Sequence, residues 1–409
     1  MKKIYSTERK ISIASFVVLL LAFVFTLTLP ILSIPFSFVG MIFGEGKIRK
    51  VYAFLLAFSL AIVAYTWVPD STMDLYRHHL QVSALKEFNT GQLWSYIGDN
   101  LEPLHYFTKY FVAQLGDRDL LQFFVVLIGY FELFWVVCDY FNCKKTKTSV
   151  ILFTTIYIVT ALNYIGFISG LWFYLAAINT VLAIYLSYFK RTKFVHYLLY
   201  LVAACLHVGA VYIIVVVLLF SKVAFFKKLK LSTMTLVALV ALSFGAIVSL
   251  SNSIFGVDFV LSKIMNRMYE NYFINGSQFD ALHSGIYLYV SLATVVMSAF
   301  LAVWYYRKTD KSEYGAFLAY LSVYILITML NAGVFIRYAF LATALTLPMV
   351  VGFLEKASGK KLRICIIASL MALIVLHCRN SVSQMERVGL VKQVKSNVTN
   401  SVFGIVGEN

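Results

Sequence analysis

Residues 11–43, ISIASFVVLLLAFVFTLTLPILSIPFSFVGMIF, run for 33 positions without a charged side chain. That is too long for one membrane crossing, which needs about 20 apolar residues, and too apolar for a water-exposed helix. Pro30 and Pro35 stand in its middle, where a missing backbone donor and a fixed φ break a helix. The stretch therefore reads as two spans. The first ends near Leu29, and a shorter second one returns to Lys47, Arg49 and Lys50. Basic residues also stand before it, at Lys2, Lys3, Arg9 and Lys10. Both ends of the pair are then cytoplasmic, since Lys and Arg accumulate in cytoplasmic loops. The start has no small-residue cleavage site, so the first segment is expected to be retained.

The rest of the 409 residues repeats this theme. The chain is 61% hydrophobic and only 13% charged, against roughly one quarter charged in soluble domains, and its mean hydropathy is +0.81. Spans in lipid must satisfy their own backbone polar groups, so this composition calls for helices. The expected fold class is all-α, a polytopic membrane helix bundle of about 12–14 transmembrane helices with two larger outer segments. Residues 1–378 form one membrane domain, with outer segments at about 69–120 and 251–283, and 379–409 form a polar C-terminal tail. Five scattered cysteines, an odd number, indicate neither a disulfide framework nor a metal site.

A net charge of +16 would suggest nucleic acid as partner for a soluble protein. Here 24 of the 35 Lys and Arg residues fall in short clusters between apolar runs, which orients the chain instead. The segment 69–120 holds seven acids and four bases, a balance suited to the outer face. Val150 to Phe189 reads as a hairpin broken near Gly166 to Gly170. Phe194 to Phe220 reads as another with its tip near His207, or else as one long tilted helix. The side of the tail is left open by its own charges.

Ionisable groups near membrane depth are costly and therefore informative. Asp70, Asp74, Tyr76, Arg77 and His78 follow a span directly, and Asp74, Arg77 and His78 share a helical face at i, i+3, i+4. Glu102 precedes Pro103 and reads either as a helix cap or as an oriented carboxylate over a cleft. His207 is isolated in LHVGA, residues 206–210, and taken alone reads as a satisfied core histidine. Arg337, before Tyr338, cannot shed its charge and needs an anionic partner, for which the guanidinium fork suits phosphate. No P-loop, dinucleotide fingerprint, HExxH or serine nucleophile elbow is present.

Taken in order, the Asp70/Asp74/Tyr76 segment, Glu102-Pro103-Leu104, the ISGLWFYLA stretch (Ile168 to Ala176), the LHVGA histidine and the Arg337-Tyr338 pair resemble the EpsG family of bacterial Wzy-like polysaccharide polymerases. Where that family commonly has arginine and glutamine after the glycine, this chain has Trp172 and Phe173. The resemblance implies a multi-pass glycosyltransferase of the bacterial cytoplasmic membrane. It would join oligosaccharide repeat units carried on undecaprenyl diphosphate into capsular, O-antigen or exopolysaccharide chains at the outer face. No cofactor, metal or nucleic acid is expected. The partners are the lipid-linked oligosaccharide, membrane lipid and a chain-length regulator and flippase of the same pathway. In this reading Arg77 and Arg337 bind diphosphate and one of Asp74, Glu102 or His207 activates the acceptor, with Asp70, Tyr76, His78 and Tyr338 in support. The alternatives are a lipid-linked oligosaccharide flippase and an O-antigen-ligase-like transferase.

Overall fold

The computed structural model describes residues 13–99, 102–242, 285–309 and 312–391, with a few isolated positions between 248 and 266. The expected outer segment 251–283 thus falls almost wholly outside the described residues, as does the tail beyond 391. Among the described residues the chain is helical, with no strand. It is an all-α multi-pass membrane helix bundle.

The opening stretch breaks at Leu29. Helix α1 (Ile13–Thr28) and α2 (Pro30–Phe43) form a hairpin in which proline takes the first position of α2. Thr26 and Ser33 share a hydroxyl hydrogen bond of 2.6 Å across the turn, which keeps their polar atoms out of lipid. On the outside of α1, Phe16, Leu20, Phe23 and Leu27 stay exposed, as a lipid-facing stripe requires. The pair packs on α3 (Gly46–Tyr65), which lies along α7 (Leu120–Lys144). Between them, the outer segment folds as α4 (Asp74–Leu85), α5 (Thr90–Asp99) and α6 (Pro103–Leu115).

The Val150 to Phe189 region is α8 (Thr148–Ala161), the short α9 (Tyr164–Ser169) and α10 (Leu171–Tyr185). Gly170 separates the last two, so the ISGLWFYLA stretch is divided between helices rather than forming one. Of the fifteen residues of α10 all but Leu182 are buried, which makes it a central post of the bundle. Next come α11 (Val195–Leu206), α12 (Val208–Lys222) and α13 (Leu231–Leu242). The break between α11 and α12 is His207, whose backbone is extended at φ −155°, ψ 128°. The final group is α14 (Gly285–Lys308), α15 (Ser312–Ile327), α16 (Ala332–Leu345), α17 (Leu347–Lys356) and α18 (Lys360–Arg387).

Five helices of the described residues are long and apolar enough to cross a membrane unaided, and α16 with α17, bent by 45°, makes a sixth. The remaining apolar helices are shorter. At 1.5 Å per residue, α11 and α12 each reach only ~18–23 Å of the ~30 Å hydrocarbon thickness. The breaks at Leu29, Gly170 and His207 fall where the sequence placed hairpin turns, Asn163 adds one more, and several of the expected spans are accordingly short helices.

Two faces of the bundle gather opposite chemistry. At the start of α3, Lys50 pairs with Asp139 at 2.9 Å, and Lys190 pairs with the same carboxylate at 2.6 Å. Three basic clusters expected to be cytoplasmic, those at 47–50, 144–147 and 190–193, therefore converge around Asp139. The other end of α3 carries Trp67, whose indole N–H donates to the Val388 carbonyl at 3.3 Å. Twenty helical residues, ~30 Å, separate the two ends. Helix α18 runs unbroken past residue 378, so the beginning of the tail lies beside the outer segment.

Candidate functional site

Helix α4 is held in place by a buried polar clamp. His79 Nε2 lies 2.8 Å from Gln122 Oε1 on α7, and the Gln122 amide donates to the Ala64 and Trp67 carbonyls at 3.3 Å each. This attaches α4 to the end of α3 and aims its first turn at a cleft. Met73 and Asp74, Asn163, Gly166 and Gly170, Tyr174, Gly333 and Arg337, and Gln384 and Arg387 line that cleft. It encloses about 720 Å³ of empty space, including the part open to solvent. Most of its lining is apolar, and its charges are one carboxylate and two guanidinium groups.

A bend precedes Arg337 in the chain. The bend is the turn Thr328–Leu330 with Asn331, whose side chain accepts the Val334 N–H at 3.1 Å and caps α16. Arg337 sits one turn into that helix, its guanidinium carbon 5.7 Å from the centre of the Phe173 ring. It is within electrostatic reach of the Tyr174 hydroxyl. Tyr338 is buried with its ring centroid 5.9 Å from that of Phe173.

The Asp74, Arg77 and His78 grouping divides. Asp74 and Arg77 form an ion pair at i, i+3, and Arg77 is mostly exposed at the rim rather than lining the cleft. His78 turns the other way, its ring 5.5 Å from His105 and 6.4 Å from Trp172. The reason is helical geometry: Arg77 and His78 flank Asp74 on opposite sides and stand about 100° apart, so Asp74 alone of the three lines the cleft while Arg77 reaches the rim and His78 turns toward α6. Asp70 accepts the Thr72 N–H at 2.9 Å and forms an exposed turn, which lowers its carboxyl below the usual range. Tyr76 is half-buried outside the cleft lining.

Glu102 corrects the capping expectation. It occupies the N-cap position of α6 but makes no capping hydrogen bond there. One carboxylate oxygen instead accepts the Val208 N–H at 2.9 Å, at the first turn of α12, and the other lies 2.9 Å from His105 Nδ1. Burial alone raises such a carboxyl. The His105 hydrogen bond, the imidazoles of His207 and His105 and the Val208 N–H outweigh it and hold Glu102 well below the usual range. An ionised Glu102 makes His105 Nδ1 the donor, so Nε2 is a bare acceptor, buried without a hydrogen-bond partner. His207 spends Nδ1 on the Gly209 N–H at 2.9 Å, capping α12, and its ring meets Phe173 edge-on at 5.6 Å.

Two residues of this cluster escaped the sequence reading. His105 stacks on Trp172 at 4.4 Å, and burial with Lys109 nearby pushes its imidazole down to about 3. Lys109 is fully buried, donates to the Gln81 side chain, and lies 5.9 Å from the centre of the Trp172 ring. Burial pushes its amine down to about 7. The signal was present: Glu102, His105 and Lys109 recur at i, i+3, i+7, one face of α6.

Trp172, Phe173 and Tyr174 therefore partition the region. Trp172 faces the His78/His105/Lys109 cluster, Phe173 stands between His207 and Arg337, and Tyr174 faces the cleft. Tyr174 is allowed in by Gly166, where a Cβ would come within 2.8 Å of its hydroxyl. The cleft floor continues through Asn163, whose amide donates to the Tyr287 hydroxyl at 2.8 Å. Among the described residues no group of three metal-ligating side chains converges. No family model, characterised protein or solved structure matches this chain.

Proposed function

We propose that this chain is a membrane glycosyltransferase of the polysaccharide-polymerase kind. It joins oligosaccharide repeat units carried on undecaprenyl diphosphate into capsular, O-antigen or exopolysaccharide chains at the outer face of the bacterial cytoplasmic membrane. The observation that carries this reading is the shared cleft: Arg337 and Asp74 line one mainly apolar cavity on the side of the bundle opposite the basic loops. An isoprenoid diphosphate offers matching chemistry, a strongly anionic head on an apolar chain.

Arg337 holds the diphosphate and stabilises charge as it leaves. The acceptor hydroxyl oxygen bonds to the anomeric carbon while the bond from that carbon to the diphosphate oxygen breaks. The hydroxyl proton passes to a base, and the electron pair of the broken bond stays on the lipid diphosphate. Of Asp74, Glu102 and His207, the cleft favours Asp74 as base. Both oxygens of Glu102 are engaged, to Val208 and His105, and His207 Nδ1 caps a helix. Arg77 orients Asp74 through their ion pair at the rim. Glu102 is then a positioning residue that ties α6 to the start of α12. A flippase and a chain-length regulator are the partners such a reaction uses.

The test is the product left by cells carrying Arg337→Ala or Asp74→Asn. Both variants should insert normally and leave single repeat units on the outer face. Repeat units stranded inside would instead indicate transport, and long polymer retained on the lipid would indicate a ligase.

A further inference from the structure

The last turn of α18 belongs by sequence to the polar tail, yet it forms one wall of the cleft. It is docked there firmly. Trp67 donates to the Val388 carbonyl, Gly389 turns the chain at φ +73°, and Leu390 is buried. Two side chains of this turn, Gln384 and Arg387, line the cavity. Gln384 is 8% exposed, and its side-chain oxygen is buried without a hydrogen-bond partner. An orphaned buried acceptor costs about 1–3 kcal/mol, so a side chain of this kind beside a cavity points to a ligand that donates.

That requirement discriminates between parts of the substrate. An ionised diphosphate has only acceptors. It can satisfy Arg337 and Arg387 but cannot satisfy the Gln384 oxygen. A sugar hydroxyl or an N-acetyl N–H is a donor. Nearby on the lining, Asn163 is held by bonds of its own, donating to the Tyr287 hydroxyl and accepting the Gly166 N–H, which leaves the Gln384 oxygen as the acceptor open to a donor. Arg387 uses one of its five donors on Ser383, at 3.2 Å.

We infer that the end of α18 is a glycan-recognition wall: Gln384 accepts a hydrogen bond from the sugar attached to the diphosphate, and Arg387 is a second cation for the diphosphate itself. This rests on the reading of the cleft as a glycosyl-diphosphate site and adds to it the residues that distinguish a sugar-bearing lipid from the bare carrier.

The experiment measures binding of two probes to the full-length protein in nanodiscs: undecaprenyl diphosphate, and the same lipid bearing one N-acetylglucosamine. Gln384→Leu should weaken the glycosylated lipid ~2–10-fold, the worth of one hydrogen bond, and leave the bare lipid unchanged. Gln384→Glu keeps an acceptor, so it should weaken both lipids but retain the wild-type ratio between them. Arg387→Gln should weaken both lipids alike. Folding of each variant is checked by a melting temperature no lower than that of wild type. The inference is overturned if Gln384→Leu affects both lipids equally or neither, or if Arg387→Gln changes nothing while Arg337→Ala weakens both. If Arg337→Ala leaves both affinities intact, the diphosphate reading itself fails and this inference with it.

Discussion

Glu102 and Val208, 106 positions apart, are joined by a 2.9 Å hydrogen bond from the backbone N–H of Val208 to the Glu102 carboxylate. The carboxylate that begins α6 thereby sits at the positive end of α12, and its other oxygen holds His105. Glu102→Ala leaves the Val208 N–H and His105 Nδ1 without this acceptor and should lower stability by ~2–4 kcal/mol. Glu102→Gln keeps an acceptor for Val208 and should cost less. Thermal unfolding in detergent measures the difference; equal stability of wild type and Glu102→Ala would contradict the latch.

The buried cluster makes stability depend on pH in two windows. His105 falls from its ordinary 6.5 to about 3 on folding, so between these values the unfolded chain binds more protons. Stability should therefore drop as pH falls from about 6.5, and Glu102, lowered from its own usual value, adds to the loss below about 4.5. Lys109 falls from 10.5 to about 7, so the unfolded chain also binds more protons between pH 7 and 10.5. Stability should rise by ~2 kcal/mol from pH 7 to 9 through this lysine alone. Unfolding scans across pH 5 to 9 should show both slopes, and Lys109→Met should flatten the alkaline one. A Lys109→Met profile parallel to wild type would contradict the assignment.

Helices α14 and α15 meet at Gly315, where a Cβ would fall 2.6 Å from the Tyr306 backbone nitrogen. Backbone cannot swing aside as a side chain does. Gly315→Ala should therefore force the helices apart and cost ~1–3 kcal/mol. At Gly166 the neighbours are the side chains of Asn163 and Tyr174, so Gly166→Ala should disturb the cleft more than the fold. Melting temperatures and lipid binding of the two variants, compared side by side, check this.

Sidedness is also testable. Cys143 is exposed on the Asp139 face, with Lys190 Nζ 3.1 Å from its sulfur, whereas Thr72 is exposed beside the cleft. In a background with the other cysteines replaced by serine, a membrane-impermeant maleimide applied to intact cells should label Thr72→Cys but reach Cys143 only after permeabilisation. The reverse pattern would invert the bundle.

The fold class was legible because uninterrupted apolar runs and basic clusters record the constraints of lipid directly. The break at Leu29 followed from Pro30, and the helix junction at His207 followed from bases bracketing a single apolar run. Contacts between distant parts of the chain were less legible: Glu102, 106 positions upstream, holds the first turn of α12. In the site, Asp74 stood out because its segment follows a span directly, and Arg337 as a charge among apolar neighbours. Lys109 and His105 did not, because on α6 the apolar pattern of Phe107, Phe111 and Leu115 draws the eye to the opposite face, which the fold leaves exposed. Gln384 and Arg387 were unreadable for another reason: a helix continuing past an apolar run looks like a tail until its end is seen docked on Trp67.

The central claim is that the cleft beside Arg337 binds a lipid diphosphate. Its most direct test is the affinity of purified full-length protein for undecaprenyl diphosphate, compared between wild type and Arg337→Ala by native mass spectrometry. The account predicts saturable binding to wild type and a loss of at least ~10-fold in the variant, the scale of a charge-assisted hydrogen bond. Equal binding by the two proteins would contradict it.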